Sequence, residues 1–339
     1  MIRAGRRAAY ALVTASSLML AGCSGWQSAL DVHGESAITL KQLIVLIVMV
    51  CSIVWAMVMI ALILALARRR ERREAPVQVD PATERRMTIT VSAAVAATVA
   101  IITAFTVLSF FTTRALSVAG ADDLTIKVRG LQWWWGVEYF GDTPEQRFET
   151  ANEIHIPVGR KVRLQLEGLD VIHSFWVPSL AGKQDLVPGR PNELTLRAER
   201  PGVYRGQCAE FCGLQHAHMA FFVIAEEQGA FDEWLRVQRQ GAAAVSDAEA
   251  SAGQQAFMSR QCAACHTVRG TSADGKTGPD LTHVGGRTSI AAGLLPTTRG
   301  SLAAWIADPQ TLKPGNNMPL VPMSPEELRA ISAWLASLK

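Results

Sequence analysis

Cys208-Ala209-Glu210-Phe211-Cys212-Gly213-Leu214-Gln215-His216-Ala217-His218-Met219 gathers two thiols, imidazoles and a thioether in one short segment. His173 stands earlier, closing Asp170-Val171-Ile172-His173. Thiolate, thioether and imidazole together select copper over hard cations, and a structural zinc site does not normally use methionine. The competing reading is a Cys208–Cys212 disulfide, plausible in an exported domain. A disulfide does not require His216 four residues on, or Met219 three after that. A second constellation, Cys262-Ala263-Ala264-Cys265-His266, has the C-x-x-C-H spacing of c-type haem attachment. Two thiols add to the haem vinyl groups and the adjacent imidazole becomes the proximal ligand. The second axial ligand should then be distant and toward the C-terminus.

Both constellations need scaffolds, and the composition says where these sit. Of 339 residues, 49% are hydrophobic and 19% charged, with mean hydropathy +0.16. A membrane part averaged with a polar part gives such values; a disordered, collagen-like or disulfide-knot chain does not. The net charge of +3 supports no nucleic-acid partner. Arg3, Arg6 and Arg7 precede the apolar run 8–20, which is short for a span. The run ends in Leu20-Ala21-Gly22-Cys23, which resembles a bacterial lipobox. Residues 1–22 thus read as a signal peptide and Cys23 as an acylated mature N-terminus, the alternative being an uncleaved anchor. Residues 43–67 and 87–111 carry no charge and are long enough to cross a bilayer. Arg68-Arg69-Arg70-Glu71-Arg72-Arg73, with Arg85 and Arg86, puts the loop between them in the cytoplasm and all that follows on the outer side. Met49, Cys51, Met57 and Met59 lie in the first span as packing residues.

From residue 124 the pattern changes to short alternating strands: 124–129, 153–158, 161–169, 193–198, 203–207 and 219–225. Pro157-Val158-Gly159, Pro188-Gly189 and Pro201-Gly202 punctuate them, as in an antiparallel sandwich or barrel. Residues 226–240 read as a closing helix and 241–245 as a weak linker. Beyond it the chain turns helical. Ser246-Asp247-Ala248-Glu249 and Ser324-Pro325-Glu326-Glu327 fit capping boxes, and Leu328, Ile331, Leu335 and Leu338 form one apolar stripe.

The segment 208–219 resembles the copper A motif of cytochrome c oxidase subunit II, C-x-E-x-C-G-x-x-H-x-x-M, at every fixed position. Gln132-Trp133-Trp134-Trp135, the stretch from His173 to Leu180, and Pro188-Gly189-Arg190 are similar to further segments of that family. The resemblance covers residues 43 to about 235. It implies a two-helix transmembrane hairpin (23–115) and an all-β cupredoxin-like Greek-key barrel (116–240), and the helical pattern with the C-x-x-C-H site adds a small all-α cytochrome c domain (246–339), making a multidomain chain. It implies two coppers bridged by Cys208 and Cys212, one adding His216 and the Glu210 carbonyl, the other His173 and Met219. It further implies a magnesium ion at the subunit I interface through the Glu210 side chain, and Trp133 as the residue where electrons enter. The other reading of Trp133, Trp134 and Trp135 is strand core and membrane-interface aromatics. Asn316-Asn317-Met318-Pro319 resembles the methionine loop of class I cytochromes c, making Met318 the second axial ligand, with Met323 as runner-up and Met258 too near the attachment site. Gly278-Pro279-Asp280-Leu281 resembles the stretch whose proline carbonyl orients the proximal histidine. His155 and His218 read as surface or strand residues, and His283 as a surface residue.

The expected function is an electron-transfer subunit of a bacterial terminal oxidase of the caa3 type. It would pass electrons from cytochrome c, an upstream reductase or its own haem c to subunit I, with subunit III as a further partner and oxygen reduction coupled to proton translocation. The alternatives are the copper A subunit of a nitric oxide reductase and a stand-alone lipid-anchored redox carrier. One departure stands out. Many subunit II chains begin their second span E-x-x-W-T with a later proline. Glu84 and Thr88 fit, but Met87 and Val91 replace the tryptophan and the proline. Glu84 is therefore either a proton-uptake residue or one more charge in the cytoplasmic loop.

Overall fold

The computed structural model describes residues 25, 27–71, 80–116, 124–141, 143–245 and 247–339. The signal peptide, Cys23, Arg72, Arg73 and Ser246 lie outside the described residues.

Two long helices form one unit, residues 39–118. The first, α1 (Glu35–Glu71), has 37 residues, and the second, α2 (Pro81–Leu116), has 36. At about 1.5 Å per residue each exceeds the roughly 30 Å hydrocarbon core. Both are long and apolar enough to cross a membrane. In α2 the threonines do not break this character. Thr90, Thr98, Thr103 and Thr106 return their hydroxyls to the carbonyls four residues back, at 2.8–2.9 Å. A hydroxyl satisfied within its own helix costs little in lipid. Both helices extend past the charge-free runs 43–67 and 87–111, since arginine and glutamate continue a helix readily once outside the apolar core.

The second unit contains residues 119–339. Its first part is a β-sandwich. One sheet contains β1 (Leu124–Leu131), β2 (Trp134–Tyr139), β3 (Phe148–Ala151), β5 (Val162–Gly168) and β8 (Asn192–Leu196), in the order β3-β2-β1-β5-β8. The other contains β4 (Glu153–Pro157), β6 (His173–Trp176), β7 (Gln184–Leu186), β9 (Gly202–Cys208) and β10 (Ala220–Glu226), in the order β4-β10-β9-β6-β7. The pairs β1–β5 and β4–β10 are parallel; the others are antiparallel. In β5 the alternation is literal: Val162, Leu164 and Leu166 face the core while Arg163, Gln165 and Glu167 are half-buried. Trp135, Phe175 and Phe221 meet edge-on or stacked at 4.4–5.9 Å between the sheets. Helix α3 (Gln228–Gln238) closes the sandwich by burying Phe231.

The last part is helical: α4 (Ala248–Ser259), α5 (Cys262–Cys265), α6 (Arg299–Ala307), α7 (Pro309–Leu312) and α8 (Pro325–Ser337). Ser324 caps α8 in a full capping box with Glu327. The cap of α4 is Asp247, whose carboxylate accepts from Ala250 N at 2.9 Å; this corrects the box built on Ser246. A carboxylate serves the same orphan N–H and also suits the helix dipole. Phe257 of α4 packs on Trp334 of α8, centroids 5.0 Å apart. The stretch 241–245 is no loose tether. Ala242 N donates to Arg269 O at 2.7 Å, and Arg269 Nη2 donates to Gln238 O at 2.8 Å. His283, expected at the surface, is buried. Its two ring nitrogens lie 3.0 and 3.1 Å from the carbonyls of Lys339 and Gln240, so it ties the chain end to the segment after α3.

Candidate metal centre and haem cavity

The sulfur cluster is assembled by strand ends. Cys208 ends β9, Met219 immediately precedes β10, and His173 begins the neighbouring β6. Cys208 N donates to Met219 O at 2.9 Å, closing the base of the intervening loop. Ala209 N donates to Ser174 O at 2.9 Å and aligns the loop with β6. Gly213 turns the loop at φ +110, a conformation L side chains rarely adopt. Gly130 is required by packing, because a Cβ there would lie 2.8 Å from the His173 ring.

Cys208 and Cys212 are free and buried, Sγ to Sγ 3.7 Å. Cys208 Sγ lies 3.9 Å from His173 Nδ1 and 3.2 Å from Glu210 O. Cys212 Sγ lies 3.6 Å from His216 Nδ1 and 3.8 Å from Met219 Sδ. Metal–sulfur bonds are about 2.3 Å, so donors at these separations can share an ion. Soft donors at such spacing fit copper. The Cys212 thiol beside it, aided by His173, holds Cys208 well below the usual thiol range despite burial. The same contact, with burial, pushes Cys212 up. The Glu210 carboxylate points elsewhere, 3.4 Å from Lys183 Nζ. His218 is exposed, and His155 is buried in β4 between Glu153 and Glu226.

A cavity of about 430 Å³ in the helical part is lined by Cys262, Cys265, His266, Pro279 and Met318, but not by Met323. His266 Nδ1 lies 2.8 Å from Pro279 O, which orients the ring. Burial pushes His266 down, outweighing that carbonyl, and a neutral imidazole is what an iron needs. Gln310 Nε2 donates to the carbonyls of Asn316 and Met318, both at 2.8 Å, and so shapes the methionine loop. In the same wall Arg287 Nε and Ser289 Oγ are buried without partners. Unsatisfied donors beside thiols, an imidazole and a thioether fit a haem with its carboxylate edge.

A second cavity of about 550 Å³ shares Cys265, His266 and Met318 with the first and is lined on its other side by Trp133 and Trp134. Trp133 Nε1 donates to Cys212 O at 2.9 Å, and Gln132 Nε2 donates to the same carbonyl at 2.8 Å. One aromatic ring therefore touches the haem-side cavity and the backbone of a copper-side cysteine. Trp135 lies deep in the core, whereas Trp134 at the start of β2 is only half-buried. No sequence motif marks Asp170, Gln310 or Lys313 as site residues. Asp170 had a signal, its spacing of three residues from His173; the other two read as ordinary loop residues.

These features define a class: a membrane protein whose periplasmic part joins a cupredoxin-like sulfur–imidazole site to a cytochrome c fold. Residues 141–226 match the family model described as cytochrome C oxidase subunit II, periplasmic domain, and residues 250–339 match cytochrome c. Over 330 residues the chain is 37% identical to cytochrome c oxidase subunit 2 of Alkalihalophilus pseudofirmus, covering 95% of this chain and 94% of that one. It is 33% identical to cytochrome c oxidase subunit 2 of Bacillus sp. (strain PS3), covering 64% and 62%. The crystal structure of the periplasmic domain of subunit II of cytochrome oxidase of Bradyrhizobium japonicum is 35% identical, covering 36% of this chain and 96% of that one, with a TM-score of 0.33. The chain belongs to the cytochrome c oxidase subunit 2 family, in a form fused to a cytochrome c domain. The two domains imply copper A and haem c in general.

Proposed function

We propose that this chain carries electrons from its own haem c, or from a soluble cytochrome, to subunit I of a haem–copper oxidase. In this reading Cys208, Cys212, His173, His216, Met219 and the Glu210 carbonyl hold two coppers. Cys262 and Cys265 would attach the haem covalently, and His266 and Met318 would be its iron ligands. When bound, these groups supply one-electron storage, the copper pair sharing a single electron over two metals. The chain's part is to hold donors still, since small ligand movement means a small barrier to each transfer. The strand ends do this for the sulfurs, and Pro279 and Gln310 do it for the haem ligands.

The observation that carries the reading is the position of Trp133, bonded to Cys212 O and lining a cavity shared with His266 and Met318. A Trp133→Phe variant of the assembled oxidase should transfer electrons from haem to copper more slowly, with both optical spectra unchanged. An unaltered rate would remove Trp133 from the route. We further propose a signal peptide over residues 1–22, acylation at Cys23, two passes through the membrane, magnesium bound through the Glu210 carboxylate, contact with subunit III and proton translocation by the complex. Mass analysis of the mature N-terminus tests the anchor directly.

A further inference from the structure

We infer that Lys313 is a positioning residue that fixes the cytochrome domain on the copper domain and so sets Trp133 between the two redox centres. This rests on the reading of Trp133 given above. The Lys313 side chain is buried, at 2% exposure. Its ammonium donates to Trp133 O at 2.7 Å, His218 O at 2.8 Å and Ala291 O at 3.1 Å. Two of these carbonyls belong to the copper domain and one to the cytochrome domain. Burial pushes the Lys313 amine down to about 7, and in its protonated form it has three N–H groups, all of which the three acceptors use. Each partner is a main-chain carbonyl, so the side chain fastens three chain segments to one another. Trp133 is thereby held at both ends, its carbonyl by Lys313 and its indole by Cys212.

The rest of the interface is built around the same arrangement. Gln215 Nε2 donates to Pro314 O at 2.8 Å, and Asn317 Nδ2 donates to Gln132 O at 3.3 Å. Thr288 N donates to the Glu153 carboxylate at 2.5 Å, and Thr288 Oγ1 donates to the same oxygen. Ala291 and Ala292 both have positive φ, 55 and 60. Alanine rarely adopts this conformation, and it persists where surrounding contacts impose it. Here the Ala291 carbonyl is held by Lys313, and the Ala292 carbonyl accepts from Ala220 N at 3.0 Å across the interface. The turn is shaped for one docked position. An apolar side chain at 313 would leave three inward carbonyls without their donor, freeing Trp133 to shift relative to the haem cavity.

The test uses the assembled oxidase with the full chain, copper and haem in place. In the wild type, Lys313 should resist acetylation by acetic anhydride under native conditions, while the exposed Lys276 of the same domain reacts. This measurement needs no variant to fold. In Lys313→Met, flash-initiated transfer from haem to copper should slow by about tenfold or more, with the haem and copper line shapes unchanged. The copper signal should also saturate at lower microwave power, because the ferric haem that relaxes it has moved away. Acetylation of Lys313 as fast as Lys276, or transfer in Lys313→Met at the wild-type rate, overturns the proposal. A slow Lys313→Met beside an unaltered Trp133→Phe upholds the docking role and removes the indole from the route. The reverse pattern keeps the indole and discards Lys313.

Discussion

His173 Nε2 lies 2.8 Å from the Asp170 carboxylate, while its Nδ1 faces the Cys208 sulfur at 3.9 Å. A histidine that gives one ring N–H to a carboxylate offers the other nitrogen as a lone pair in a fixed direction. Asp170 is held in turn by the backbone N–H groups of Gln132 at 2.6 Å and Val171 at 2.7 Å. Asp170→Asn should therefore weaken copper retention by about 10- to 100-fold. Copper content after dialysis against a chelator measures this, and wild-type retention would make Asp170 a surface cap only.

Cys212→Ser should abolish the paramagnetic signal of the copper pair while the haem spectrum stays intact. The two sites belong to separate cores, one built on Trp135 and Phe221 and the other on Phe257 and Trp334. Loss of both signals together would mean that the cores depend on each other for folding.

Met318→Ala should change the haem's spin state and lower its reduction potential, because the axial thioether is lost. Met318 lines the cavity and Met323 does not. An unchanged spectrum would move the ligand to Met323.

The pH dependence should come in part from His155. Burial disfavours its charged ring, yet Glu153 and Glu226 outweigh that and raise its pKa above the ordinary 6.5. The ring also stacks on Trp234 at 4.0 Å. A folded-state pKa above the unfolded value stabilises fully below about 6.5 and is lost as pH rises through the raised value. The midpoint of thermal unfolding should thus fall as pH rises from about 6.5 through the raised value, and His155→Gln should flatten the fall. An identical slope in the variant would acquit His155.

Gly253 faces α8 so closely that a Cβ there would stand 2.0 Å from Ala330 O. Gly253→Ala should destabilise the cytochrome domain by about 1–3 kcal/mol through overpacking. A fall in the haem domain's unfolding midpoint checks this; no fall would mean that α4 and α8 separate freely.

The legible parts of this chain were those in which chemistry and periodicity are local. Six strands and both long helices announced themselves by alternation or by runs without charge, and β2, β3, β6 and β7 did not. β2 hides in a tryptophan-rich run, and β7 has three residues, too few to establish a period. The ligand types in 208–219 are adjacent in sequence, so their convergence could be expected. The roles of Lys313 and Gln310 could not, because the carbonyls they bind are main-chain atoms that leave no mark on residue identity. The burial of His283 is hidden from the sequence for a related reason. Its partners are the carbonyls of Gln240 and Lys339, brought together only by the fold.

The most direct measurement is metal and haem analysis of the purified oxidase subunit together with the paramagnetic spectrum of its copper. Two coppers and one covalent haem per chain are expected, with one unpaired electron spread over both copper nuclei. A bond joining Cys208 to Cys212, with no transition metal beside them, would contradict this.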